Sequence, residues 1–156
     1  MGITTALRRE LKERFYPLAL SAGFGLDTSL QPEMTVFRRI NGTKLHVFDI
    51  QWDSHRKSRF VINFAETAEQ ALDHTGQKLA FASTCAFHCR PCLRLQRRRG
   101  GSFSCWFQLR KPLLEQLLSM RREYTPQQVV DQLLERWPQM EEWWSTKRIG
   151  IHVNGS

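Results

Sequence analysis

Apolar side chains recur at three-to-four spacing over residues 5–20: Leu7, Leu11, Phe15 and Leu18, with Arg8, Arg9, Lys12 and Glu13 on the other side. That period predicts an amphipathic helix. Pro17 has no N–H to give, so it kinks the helix or ends its regular part near Tyr16. Gly23 is placed to cap the C-terminus. From residue 34 the period changes to two. The run 35–40 leads into Asn41-Gly42, a hairpin turn by composition, since both residues tolerate positive φ. Over 44–52 the side chains alternate: His46, Phe48, Ile50 and Trp52 share one face, and Leu45, Val47, Asp49 and Gln51 share the other. Phe60, Ile62 and Phe64 align in 59–64. These three runs predict an antiparallel meander with one buried face.

Thr67 with Gln70 three residues on reads as a capping box opening a short helix, and Gly76 as its end. Residues 77–91 show no period and are expected to be loop. A second hairpin is predicted from 93–96 and 103–109, joined across Arg97-Arg98-Arg99-Gly100-Gly101. The last third is helical in pattern. Residues 112–121 carry a stripe of Leu113, Leu114, Leu117 and Leu118. Thr125, Pro126 and Gln128 form a capping box for 126–137, and Pro138 is the expected stop. After it, Glu141 to Trp144 have the pattern of one further turn. Strands at 35–40, 44–52, 59–64, 93–96 and 103–109 with helices at 5–20, 112–121 and 126–137 make an α+β fold. An antiparallel sheet is covered by N-terminal and C-terminal helices, in a single domain over 1–156.

Composition fits that picture. With 41% apolar and 11% aromatic residues among 156, the chain has the makings of a buried core. No stretch approaches the ~20 apolar residues of a membrane span, and the N-terminus has no apolar signal core, so a cytoplasmic address and no membrane partner are expected.

Charge adds a location. The formal net charge is +8, yet no Asp or Glu occurs between Asp73 and Glu115. That interval holds Lys78, Arg90, Arg94, Arg97, Arg98, Arg99, Arg110 and Lys111, while the rest of the chain balances at fifteen basic and fifteen acidic residues. A localised basic patch attracts an acidic protein surface, a nucleic acid or a phosphate; a solvated arginine-rich turn is the plainer alternative. Trp106, opposite in strand parity to Phe103 and Phe107, is a candidate for the surface beside the arginines. In the pair Trp143-Trp144, one ring is expected in the core.

Four cysteines pose the zinc question. Cys89-Arg90-Pro91-Cys92 has knuckle spacing, Cys105 returns on the next run, and Cys85 or His88 completes a set of four. Against this, the second pair lacks the spacing, Cys105 alternates with apolar neighbours, and a domain of this size needs no metal. Buried thiols and no cofactor are expected. The polar residues of the meander, His46, Asp49, Gln51, Asp53, His55, Asn63 and Glu66, lack the Asp…Glu-x-Lys arrangement of a metal nuclease and are expected on the wet face of the sheet. No P-loop, GxSxG, HExxH or GxGxxG occurs.

Several runs together resemble a known family. They are Phe48-Asp49-Ile50-Gln51-Trp52-Asp53, Arg59-Phe60-Val61-Ile62-Asn63-Phe64, Arg94-Leu95-Gln96 with Gly100-Gly101-Ser102 and Trp106-Phe107, and Tyr124-Thr125-Pro126 through Trp143-Trp144. Over nearly the whole chain they are similar to the bacterial family catalogued as domain of unknown function 4304. The resemblance implies an α+β fold and no particular reaction; by analogy, small domains of this kind occur among immunity proteins of toxin systems. The expectation is a non-enzymatic binding protein, of the immunity-inhibitor type. It docks an acidic protein, a toxin in that reading, through Arg94, Arg97, Arg98, Arg99, Trp106 and Arg110. Nucleic-acid binding through the same patch is the alternative, and a small metal-dependent hydrolase or nuclease around Asp49 is the third.

Overall fold

The computed structural model describes residues 2–55, 57–99 and 105–155. Seven strands form one antiparallel sheet: β1 (Gly25–Asp27), β2 (Met34–Asn41), β3 (Lys44–Trp52), β4 (Arg59–Thr67), β5 (Cys92–Leu95), β6 (Phe107–Gln108) and β7 (Val153–Gly155). The order is β1-β2-β3-β4-β5-β7, with β6 also on β4. Helices from both ends of the chain cover one face, so the α+β expectation holds.

The N-terminal helix has three parts: α1 (Ile3–Glu10), a π-helical turn (Leu11–Phe15) and α2 (Tyr16–Ser21). Its buried apolar residues, Leu7, Leu11, Phe15 and Ala19, are strictly four apart. In a helix of 3.6 residues per turn that spacing drifts by about 40° per step. The wider π turn takes up the drift and keeps the stripe on the sheet. It also accommodates Pro17: Tyr16 N–H reaches back to Leu11 O, five residues away. Gly23, at φ +90°, ends the helix, with Phe24 N–H on Ala19 O and Gly23 N–H on Leu20 O.

The hairpin turn lies one residue later than composition suggested. Asn41 pairs with Lys44 in the ladder, and the loop is Gly42-Thr43 with only Gly42 at positive φ. The register then aligns Phe37, Phe48, Phe64 and Leu93 across four strands on the helical face. The Phe37 and Phe48 rings stack at 4.6 Å.

α3 (Leu113–Ser119) and α4 (Pro126–Thr146) complete the helices. The Thr125 capping box forms: Gln128 N–H donates to Thr125 Oγ1 at 3.2 Å, and Thr125 N–H donates to Gln128 Oε1 at 2.9 Å. Pro138 does not stop α4. An interior proline costs about 3 kcal/mol, whereas Met140, Trp143 and Trp144 beyond it are all buried, at about 1.5–3 kcal/mol each. Burial wins, and both tryptophans of the pair are core; Trp144 Nε1–H donates to Ala65 O at 3.0 Å.

Four other expectations are corrected. Thr67 ends β4 instead of opening a helix. Its Oγ1 is occupied by Glu69, and Asp73 Oδ1 gathers the N–H groups of Thr75 and Gln77 into a turn that competes with helix formation. The predicted second hairpin does not form: β5 pairs with β4 and β7, and β6 pairs with β4 at Arg59 and Phe60, so β5 and β6 lie end to end along β4. Gly100, Gly101 and residues 103 and 104 of that prediction lie outside the described residues. The second face of the sheet is not wet: residues 84–89 fold over it and bury Val36, Leu45, Val47 and Ala65 with Cys85, Ala86 and Cys89. Finally, α3 does not cover the sheet.

Candidate docking surface

The polar groups of the sheet are structural. Val36, Asp49, Asn63 and Arg94 form one cross-strand row on the second face. Asn63 Nδ2 donates to Asp49 Oδ1 at 2.7 Å and to Gln51 Oε1 at 3.2 Å. Ala86 N–H donates to the other Asp49 oxygen at 3.2 Å. Arg94 Nε–H donates to Asn63 Oδ1 at 2.8 Å. Asp49 and Gln51 share a face as the alternation predicts, but at Asp49 that face is covered while Gln51 stays exposed. Asp49 is 0% exposed, and burial pushes its carboxyl up to about 6. No substrate reaches it. Arg94, expected at a partner, is spent on this row and on Cys105 Sγ, 4.0 Å away.

His46 is sealed too. It stacks on Trp144 at 5.3 Å, its Nδ1 faces the Arg39 guanidinium at 3.0 Å, and its Nε2 faces Glu66 at 3.0 Å. Arginine only donates, so Nδ1 accepts and the proton sits on Nε2, directed at Glu66. Burial and Arg39 hold this imidazole below its ordinary range. Both ring nitrogens are committed, which leaves none for proton transfer to a ligand.

Cys85, Cys89 and Cys105 are buried and Cys92 is half-buried. Burial raises the thiols of Cys85, Cys89 and Cys92, that of Cys89 to about 11. Among the described residues no three His, Cys, Asp or Glu side chains converge as metal ligands.

Of the remaining expected site residues, Arg97, Arg98 and Arg110 lie at α3 and its stem. Leu109 to Tyr124 is an excursion whose ends are pinned together. Arg110 bridges Glu123, Lys111 N–H donates to Arg122 O at 3.0 Å, and Tyr124 N–H donates to Leu109 O at 2.7 Å. α3 sits at the tip of this stem. Its polar side faces the body: Glu115 accepts from Arg98 Nη1 at 2.6 Å and lies 3.7 Å from Arg97 Nη1. Ser119 Oγ bonds Glu115 O at 2.6 Å and accepts from Lys111 Nζ at 2.8 Å. Its apolar side faces out. Leu113, Leu114, Leu117, Leu118 and the left-handed cap Met120 are 75%, 63%, 78%, 78% and 94% exposed.

This inverts the usual amphipathic helix. Each such side chain stands to gain about 1.5–3 kcal/mol from burial, and a contiguous exposed apolar stripe of this kind marks an interaction site. Arg110, Arg121 and Arg122 flank it, all exposed and without an ion pair among the described residues. A cavity of about 390 Å³ opens at the foot of the stem, lined by Ile3, Lys57, Ser58, Arg59, Arg110 and Glu123 among others.

Two more expected contact residues, besides Arg94, are corrected. Arg97 is not at an exposed turn: it is 6% exposed, and its Nη1 donates to the Tyr124 hydroxyl at 3.1 Å. Trp106 is half-buried under the Arg59 guanidinium, 4.1 Å from the ring centroid. The exposed apolar residues that the sequence reading did not anticipate are the α3 leucines. Their stripe was legible, but the periodicity is the same whether it faces core or solvent. The signal that separates the cases is the short helix between Arg110-Lys111 and Arg121-Arg122, with basic residues on both flanks.

No protein-family model, curated protein or solved structure matches the chain.

Proposed function

We propose that the protein is a non-catalytic docking protein that engages an anionic partner surface through the α3 tip and its arginine rim. The observation that carries this is the inverted helix: α3 turns Glu115 inward onto Arg98 and four leucines outward. The basic residues supply charge selection and on-rate, and the leucines supply the burial that holds the complex. Catalysis draws no support, because Asp49 and His46, the best acid–base groups of the sheet, are enclosed and fully hydrogen-bonded. Nucleic-acid binding draws less than the composition suggested. A single-strand platform stacks bases on aromatic side chains, and the tip is aliphatic while Trp106 is capped by Arg59. Membership of domain of unknown function 4304 belongs to the same proposal and adds no reaction to it.

The test is retention of partners from an unclarified extract of the native host on immobilised full-length protein, with nuclease added. Wild type is compared with Leu117→Ser/Leu118→Ser and with Arg121→Gln/Arg122→Gln. An acidic partner lost in both double variants is the expected result. Recovery that vanishes with nuclease, or that neither variant reduces, overturns the proposal.

A further inference from the structure

We propose that the anionic partner is a lipid bilayer with acidic headgroups, on which the protein lies peripherally with the α3 leucines in the boundary between headgroups and acyl chains; this rests on the docking reading above. Four features of the tip select a bilayer over the other anionic surfaces.

The first is residue type. Anchors at protein–protein interfaces are dominated by Trp, Tyr and Arg, with Leu under-represented. The tip is Leu113, Leu114, Leu117, Leu118 and Met120, with no aromatic side chain. Flexible aliphatic groups suit fluid hydrocarbon, which demands no shape match.

The second is shape. Exposures of 63–94% mean that each side chain stands clear of its neighbours and of the body. A helix of seven residues, about 10 Å long, presents four outward leucines as one apolar edge. Such an edge sinks ~5–10 Å into an interface when the helix lies in its plane.

The third is orientation. Glu115 is held by Arg98, and the stem is closed by backbone bonds on both sides. The leucines therefore point outward with the polar side already satisfied, and insertion requires no unfolding. No helix among the described residues is long and apolar enough to cross a membrane, so the contact is with the surface.

The fourth is charge. Arg110 and Lys111 precede the helix and Arg121 and Arg122 follow it, placing cations at the base of the apolar tip, at headgroup height when the tip is inserted. The cavity at the foot of the stem is lined by Lys57, Arg59 and Arg110 together with Glu123 and Ile3, and Arg59 there is already paired with Asp53, so the cations on which the contact rests are those flanking α3. The same rim argues against a second copy of this chain as occupant, since like charges would face each other across the leucines.

The experiment is sedimentation of the full-length protein with vesicles of phosphatidylcholine alone and of phosphatidylcholine mixed with phosphatidylglycerol. Soluble poly-glutamate and heparin serve as competitors. Expected is binding to the mixed vesicles and little to phosphatidylcholine alone. Leu117→Ser/Leu118→Ser should weaken that binding at least about tenfold, since two buried side chains are lost. Arg121→Gln/Arg122→Gln should weaken it several-fold and reduce its salt dependence. Both pairs are exposed, and unchanged circular dichroism of the variants verifies the fold. Equal binding to both vesicle types, binding indifferent to the leucines, or retention by poly-glutamate or heparin with none by vesicles each overturns the lipid assignment. If vesicles fail while the host extract still yields an acidic protein dependent on α3, the docking reading survives and the partner is that protein. If both fail, neither reading stands.

Discussion

Arg97, Arg98 and Arg99 are adjacent in the chain and meet three different environments. Arg97 lies under the stem, bonded to the Tyr124 hydroxyl and close to Glu115. Arg98 is exposed and ion-paired with the same carboxylate. Arg99 is exposed with no such pair among the described residues. The three should therefore respond differently to truncation. Arg97→Ala should cost about 1–3 kcal/mol, because a nearly buried side chain and its hydrogen bond are lost. Arg98→Ala and Arg99→Ala should each stay within about 0.5–1 kcal/mol. Chemical denaturation of the three single variants checks this; equal small effects would place Arg97 at the surface after all. A run of three arginines is legible in sequence as charge. Which of them becomes structural depends on Tyr124 and Glu115, 27 and 18 positions downstream of Arg97.

At the scale of elements, local chemistry was sufficient where it faced no competition. The Thr125–Gln128 capping box is present as the sequence predicts, and Thr125→Ala should cost about 1 kcal/mol in thermal or denaturant unfolding. A loss well below that would mean that Pro126 and the packing of Val129 and Val130 set the start of α4 without the cap. Gly23 likewise ends the N-terminal helix where predicted. Elements went astray where burial outweighed a local signal. Pro138 is a stop signal that Met140, Trp143 and Trp144 override. Thr67 is a cap residue, but β4 runs on to it because Leu45 pairs opposite in the ladder. The β5–β6 hairpin was predicted from adjacency in sequence. β4 offers one edge long enough for both strands, and they take it in succession.

For the whole molecule, the enclosed row on the second face sets a pH dependence. Asp49 titrates near 6 in the folded protein against an ordinary 3.8, a shift worth roughly 3 kcal/mol. Folding favours its protonated form. Its contribution is therefore present below about pH 4 and lost as pH rises through 6. Asp27 runs the other way: its pairing with Arg38 and its bond from Ser29 pull it to about 2, so its contribution is present above the ordinary range and lost as pH falls toward 2. His46, His88 and His152 are depressed by burial and also lose stability as pH falls below their ordinary range. Asp49 thus emerges in the difference between wild type and Asp49→Asn. Asparagine keeps one acceptor and turns an amide toward the other donor, so the variant should be the less stable at pH 5, by about 1–3 kcal/mol. The gap should narrow by pH 8. Denaturant unfolding at both values measures it, and a gap that widens with pH would contradict the burial of a raised carboxylate.

What the sequence determined by itself is the part that depends on neighbours a few residues away. The alternation of β3 and β4, the stripe of the N-terminal helix, its glycine cap and the start of α4 are of this kind, as is the position of the net charge. Those features suffice for an antiparallel α+β sheet with helices at both ends. Tertiary structure decided which faces meet. Residues 84–89 close over the row of Asp49, Asn63 and Arg94, turning an expected wet face into a second core. Contacts from Arg97 and Arg98 to Glu115 turn α3 so that its leucines look outward. Periodicity reports that a stripe exists and carries no sign for inside or outside. That sign comes from partners distant in the chain, whose combined burial and ion pairing outweigh any local preference.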